Sequence, residues 1–247
     1  MELDIIILSL GLCVGSFLNV CITRIPNKES LIWPGSYCDS CKQEIEWRHK
    51  IPVISYFVLK AKCYGCHDKI SLQYPLVEIL ASVVFLVLYS KYGLSHEYFV
   101  YLSLACILIV IAGIDVKTLQ IPNILIIFGF IVWIGFKLSN QSNLLDGLMG
   151  ALAGSGIIML FAFLGKLIFR RDAMGGGDLK LAALIGLFLG VQGVLNTLFW
   201  AIWLGGGVGI VGLLLGFLNR NSKLPFGLLL AIATFIYLMV DWRQMSL

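Results

Sequence analysis

Tyr98-Phe-Val-Tyr-Leu-Ser-Leu-Ala-Cys106-Ile-Leu-Ile-Val-Ile-Ala-Gly-Ile114, followed at once by Asp115, is the stretch whose reading decides the fold. It is uncharged from end to end and has the length of the shortest bilayer-crossing helices, which need roughly 17–25 apolar residues. Seven comparable runs lie around it, at about Leu3–Ile22, Leu72–Tyr89, Ile124–Leu138, Leu148–Leu164, Leu181–Leu198, Phe199–Leu218 and Phe226–Val240. The whole chain of 247 residues is 59% hydrophobic and 13% charged. A soluble domain runs nearer about 45–50% and about 25%, so a soluble globule and a disordered chain are both excluded. The 26 glycines show no collagen-like period and suit close helix packing in a bilayer. The expected fold is all-α, a polytopic integral membrane protein with about eight transmembrane helices. The sixth and seventh runs touch at Leu198–Phe199, and Gly205, Gly206 and Gly207 are where the seventh is expected to bend or break. The acidic start, Met1-Glu2-Leu3-Asp4, and the lack of a small-residue cleavage pattern read as a retained first helix and not a signal peptide.

Charge sets the expected orientation. With the N-terminus outside, 15 of the 18 Lys and Arg residues fall on the cytoplasmic side. They are Arg24, Lys28, Lys42, Arg48, Lys50, Lys60, Lys62, Lys69, Lys117, Lys166, Arg170, Arg171, Lys180, Arg220 and Lys223, leaving Lys91, Lys137 and Arg243 outside. The positive-inside rule then selects both termini outside and a cytoplasmic loop at about residues 23–71. Trp242 and Arg243 suit an outer interfacial belt. The basic surplus reads as topology and attraction to lipid heads, with no nucleic-acid partner. The expected organisation is a first helix at 1–22, the loop at 23–71, and a membrane domain of about seven helices at 72–247. Oligomeric state is not legible.

Cys13, Cys21 and Cys106 sit in apolar runs as small hydrophobes. The other four form Cys38-x-x-Cys41 and Cys63-x-x-Cys66 in the loop. Two such pairs supply four thiolates for tetrahedral Zn2+, and the reducing side disfavours disulfides. A redox pair or unliganded thiols is the alternative. A loop this polar lacks the apolar area to fold alone, and a metal cross-link would staple it.

Asp115 closes one apolar run, and Asp178 follows Gly175-Gly176-Gly177 just before another. Membrane-edge carboxylates are costly and usually carry a task. Two brought together share a proton, so that one activates water while the other polarises a carbonyl. The competing reading is helix capping and dipole compensation. No Ser/His or Cys/His set and no H-E-x-x-H pattern offers another chemistry. Glu44, Glu46 and Asp68 would favour a basic peptide, or form a solvated face.

The ordered motifs resemble the type IV leader peptidase family of bacterial membrane aspartic proteases, the prepilin peptidases. They are Gly11-Leu-Cys-Val-Gly15-Ser16-Phe17-Leu18-Asn19-Val20 with Arg24-Ile25-Pro26, then the cysteine pairs enclosing Ile51-Pro52-Val53-Ile54-Ser55-Tyr56 and followed by Tyr74-Pro75-Leu76-Val77-Glu78. Asp115 with Ile121-Pro122-Asn123 comes next, then Gly175-Gly176-Gly177-Asp178-Leu179-Lys180, and Lys223-Leu224-Pro225-Phe226-Gly227. The chain has Tyr37 where the family often has Arg, Asn123 where it often has Asp, and Leu228 where it often has Pro.

The resemblance implies that Asp115 and Asp178 are the catalytic pair. It implies a type IV prepilin or pseudopilin precursor as substrate, cut at the cytoplasmic membrane face of a bacterial cell. It further implies N-methylation of the new terminus with S-adenosylmethionine, involving the stretch with Ser16 and Asn19 and the cysteine loop; interhelical hydrogen bonds are the other reading of Ser16 and Asn19, and Glu78 either serves that region, pairs with a loop base or caps a helix entry. Gly175, Gly177 and Lys180 would line the substrate region. A transporter or channel using the two aspartates as an ion path is the alternative function, and a non-enzymatic membrane scaffold a third.

Overall fold

In the computed structural model, the described residues are 2–38, 40–139, 144–169, 175–217 and 224–240. Among them the chain is helical, without strands. The long helices are α1 (Glu2–Arg24), α3 (Gln73–Tyr92), α4 (His96–Thr118), α5 (Asn123–Ser139), α6 (Leu145–Phe169), α7 (Gly176–Leu214) and α8 (Phe226–Met239), with a short α2 (Ile54–Val58). Five of these, α1, α3, α4, α6 and α7, are long and apolar enough to cross a membrane, while α5 and α8 are shorter apolar helices. Large apolar side chains such as Ile5, Ile127, Leu152 and Phe163 stay exposed. Apolar surface on that scale is unfavourable in water and ordinary against lipid. Arg170, Arg171, Arg220, Lys223, Trp242 and Arg243, used above to argue sidedness, lie outside the described residues.

The chain divides into two compact units, Met1–Tyr98 and Phe99–Leu247. In the first, α1 packs along α3. Acidic Glu2 and Asp4 open α1 and Arg24 closes it, each matching the helix dipole. The two backbones approach closely because Gly11 and Gly15 present no side chain. A Cβ on Gly11 would lie 2.5 Å from Ser82 Cα, and one on Gly15 would lie 2.7 Å from Glu78 Cα. The Ser82 hydroxyl adds a 2.8–3 Å class bond across the seam, donating to Leu8 O at 2.9 Å. Ile7, Leu18, Ile22, Ala81, Phe85 and Leu88 fill the seam.

In the second unit α6 lies against α7. Gly150 meets the carbonyl of Gly186, and Gly154 meets that of Ala182, a small-residue seam of the membrane kind. Here the structure corrects the expected breaks. α7 is helical through Leu198–Phe199 and through Gly205, Gly206 and Gly207, and it breaks instead at Gly190 (φ 70°, ψ −173°). That conformation is essentially reserved to glycine. A methyl group on Gly190 would run into the Asp146 carboxylate of α6. A straight helix of 39 residues would span about 58 Å, nearly twice the bilayer core of about 30 Å. The bend divides it into arms of about 21 Å and about 36 Å. The eight apolar runs are thus carried on seven long helices among the described residues, with the sixth and seventh runs sharing one bent rod.

Candidate functional site

Asp115 sits in the last turn of α4, where the helix dipole disfavours a negative charge. It is only 4% exposed. Another helix solves the conflict. The Leu228 N–H, at the start of α8, donates to Asp115 Oδ2 at 3.2 Å. Gly227 brings that helix start into contact: a Cβ there would lie 2.8 Å from Asp115 Oδ2. Pro225 precedes it in an extended conformation and cannot continue a helix backwards. The free N–H groups and positive end of α8 therefore face the carboxylate.

Asp178 is the third residue of α7 and accepts a hydrogen bond from the Gly175 N–H at 3.1 Å. This is the capping arrangement anticipated as the plain reading. The structure adds what spacing could not provide: Asp178 lies within electrostatic range of Asp115. Ile121 occupies the space beside both. A Cβ on Gly177 would lie 3.1 Å from Ile121 Cβ, and Ile121 Cδ1 also touches the position beside Gly227. Gly175 and Gly176 are exposed, and nothing lies within 4 Å of a side chain added at Gly176. Lys180, also exposed, donates from Nζ to Asn123 Oδ1 at 2.8 Å. That bond ties the start of α5 to the first turns of α7. The site holds two carboxylates, each backed by a helix N-terminus, beside an open glycine edge.

The first unit carries the cysteines. The four sulfurs of Cys38, Cys41, Cys63 and Cys66 all lie within 4.8 Å of one another, and Cys38 Sγ is 3.8 Å from Cys66 Sγ. A tetrahedron with metal–sulfur bonds of about 2.3 Å has edges of about 3.8 Å, so the cluster can hold a metal ion. The two halves repeat each other at an offset of 25 residues. Cys38 N–H donates to Gln43 O at 2.9 Å and Cys63 N–H to Asp68 O at 2.8 Å. The bridges Tyr37↔Glu44 and Lys62↔Lys69 follow the same register, and Lys42 and His67 both turn at φ 58°. The N–H groups of Cys66 and Gly65 lower the Cys63 thiol, while its crowded neighbour Cys66 is pushed up by burial and by the other three sulfurs, as expected of thiols that share one site. Ser40 joins the halves through a hydrogen bond to Asp68. With the Lys69 N–H, it keeps that carboxyl below its usual range.

Beside the cluster is a cavity of about 400 Å³, whose walls include Ser16, Arg24, Tyr37, Cys38, Val53, Tyr56, Tyr64, Tyr74 and Glu78. That volume falls in the range of small-molecule sites, about 300–1,000 Å³. Arg24 holds its rim, donating to the carbonyls of Ser30, Pro34 and Gly35 at 2.8–2.9 Å. The ring of Tyr37 lies 5.2 Å from the Arg24 guanidinium and 5.1 Å from Lys42 Nζ, two cation–π contacts that an arginine at position 37 would replace with repulsion. Asn19 is buried and spends its amide between helices: Nδ2 donates to Tyr74 O at 2.9 Å, and Oδ1 accepts from Gln73 Nε2 at 3.2 Å. Ser16 and Glu78 face the cavity.

Sequence reasoning named Leu228 and Ile121 within motifs but gave them no role, and it did not find the Lys180–Asn123 bond. Pro225-Phe226-Gly227 was the visible signal for the first, since it marks a helix start with a residue that lets another group come close.

Comparison with known proteins agrees with this layout. Residues 9–92 match the family model described as the bacterial peptidase A24 N-terminal domain, and residues 102–210 match the type IV leader peptidase family. The two matches lie on either side of the division at Tyr98–Phe99. A protein of Myxococcus xanthus is 36% identical over 206 residues, covering 83% of this chain and 62% of its own length. A Bacillus subtilis protein is 33% identical, covering 87% of this chain and 86% of its own. One from Neisseria gonorrhoeae is 30% identical, covering 96% and 91%. All three are named prepilin leader peptidase/N-methyltransferase. No solved structure matches the chain.

Proposed function

The chain belongs to the type IV leader peptidase family, and on that premise we propose that it cuts the leader from type IV prepilin-like precursors with Asp115 and Asp178. It is a bacterial inner-membrane enzyme. The observation that carries the reading is that two carboxylates lie within electrostatic range of each other, each accepting a backbone N–H at a helix start. One carboxylate, ionised, takes a proton from a water molecule as that water attacks the scissile carbonyl. The other, protonated, donates to the carbonyl oxygen; as the diol collapses it takes that proton back, and the first carboxylate passes the proton it took from water to the leaving amine. The exposed edge at Gly175 and Gly176 leaves room for a substrate backbone in extended form, and Lys180, fixed by Asn123, borders it. A precursor anchored by its apolar helix presents its leader junction at the membrane face. The basic cytoplasmic side deduced from charge is where we set this reaction, the termini lying outside.

The first unit supports a second step, N-methylation of the new terminus. Cys38, Cys41, Cys63 and Cys66 would hold Zn2+ as a structural cross-link for the loop. The cavity fits S-adenosylmethionine in size, with tyrosines for an aromatic ring and carboxylates for its positive charge. When bound, that compound supplies the methyl group. Ser16, Glu78 and the loop form the walls, and Asn19 fixes α1 against α3.

The test is direct. The protein in liposomes, mixed with a precursor bearing a short basic leader, is expected to release the leader by water attack, with no enzyme–substrate adduct after acid quenching. A covalent adduct caught by intact mass would overturn the two-carboxylate mechanism.

A further inference from the structure

Glu78 is a carboxylate buried to 7% exposure in the second turn of α3. Its hydrogen-bond partners are the Val53 N–H, at 2.7 Å from Oε2, and Ser16. No Lys or Arg among the described residues pairs with it. Arg24, on the same cavity wall, is committed to three carbonyls. A buried carboxylate without a counter-cation is costly to ionise, so it holds a proton readily and ionises when a cation comes to it.

The chain also strains itself to aim a donor at this group. Val53 adopts φ 60°, ψ −51°, with Ile54 N–H bonded back to Pro52 O at 2.6 Å. This is the rare γ-turn, and a β-branched residue there is a genuine outlier. Strain of that kind collects at sites where position matters. Glu78 thus faces a small-molecule-sized cavity, held from behind by the Val53 N–H, and none of the cations that also line it, Arg24, Lys42, Lys50 and Lys69, pairs with it.

We propose that Glu78 receives the α-ammonium of the freshly cut substrate and takes its proton, so that the free amine accepts the methyl group. The proposal rests on reading this cavity as the methyl-transfer site. A protonated amine has no lone pair, and the new terminus of a cut peptide is largely protonated near neutral pH. The proton passes from nitrogen to a Glu78 oxygen. The nitrogen lone pair then forms the N–C bond as the bond between that methyl and the donor sulfur breaks, leaving its electron pair on sulfur. Glu78 returns its proton to water in the cavity. Charge balances, since the sulfonium charge is lost and a secondary ammonium is formed.

The test uses the full chain in nanodiscs and two probes, a short peptide beginning with a free phenylalanine and its N-acetylated twin. Calorimetry is expected to show the free-amine peptide binding wild type about tenfold or more tighter than the acetylated one. Glu78→Gln should bind both alike and methylate about a hundredfold more slowly at saturating donor. Its rate of leader cleavage should be unchanged, which reports an intact fold. Glu78→Asp, which keeps the charge, should restore part of the preference for the free amine. If Glu78→Gln still prefers the free amine, or loses S-adenosylhomocysteine affinity instead, the assignment to the amine is wrong. If wild type neither binds S-adenosylhomocysteine nor methylates, the methyl-transfer reading itself fails and the proposal with it.

Discussion

At the scale of the residue, the site depends on how a carboxylate at the wrong end of its own helix is made tolerable. Asp115 ends α4, and the start of α8 supplies the N–H that its position lacks. Gly227 is what allows the approach, so Gly227→Ala should push the carboxylate aside by the width of a methyl group. Misplacement of that order costs about a hundredfold in rate. We expect leader cleavage to fall by that factor while the helical circular dichroism stays as in wild type. An unchanged rate would mean that the Asp115–α8 contact does not matter to catalysis. The two aspartates were legible in the sequence because charge is scarce in an apolar chain. Their meeting was not, since no spacing along the chain relates α4 to α7. The Val53 turn was also hidden, because a β-branched residue carries no signal for a positive φ.

At the scale of the element, α7 shows why a long apolar stretch is hard to divide. Its glycine cluster at Gly205, Gly206 and Gly207 looks like the breaking point. Glycine removes the barrier to a bend but does not require one, and the bend sits at Gly190, where Asp146 of α6 presses against the chain. Two substitutions separate these positions. Gly190→Ala places a side chain in a glycine-only conformation and against a carboxylate, and it should destabilise the protein by about 1–3 kcal/mol. Gly206→Ala meets nothing within 4 Å, and it should be neutral or stabilising by up to about 1 kcal/mol. Thermal unfolding midpoints in detergent would check both, and a reversed order would refute the bend. The cysteine loop was read more fully. Its two pairs come together as the spacing requires. Its repeat of 25 residues escaped notice because the halves share backbone geometry and cysteines but little else, with Lys42 and His67 holding equivalent left-handed turns.

At the scale of the whole molecule, the division into two units puts the cysteine cluster and its cavity in one and Asp115 and Asp178 in the other. The apolar runs and their helical nature were legible throughout, because bilayer thickness leaves a length signature that packing cannot erase. The grouping of α3 with α1 was not, since it depends on which glycines face which helix. Membership of a peptidase family leaves the ion-path reading without support. The units should fail separately. Removing metal with a chelator, or substituting Cys63→Ser, should empty the cluster and abolish methyl transfer, with the metal loss read by mass spectrometry. Leader cleavage should persist, because the carboxylate pair and its helix starts belong to the other unit. Equal loss of both activities would show that the loop serves cleavage as well.

The central claim is that Asp115 and Asp178 act as a pair on a precursor's leader. The measurement that bears on it most directly is leader release, followed by mass, from one precursor by wild type, Asp115→Asn, Asp178→Asn and the control Asp146→Asn. Wild type and Asp146→Asn should release the leader, and neither of the other two should do so detectably. Full processing by Asp115→Asn or by Asp178→Asn would contradict the account.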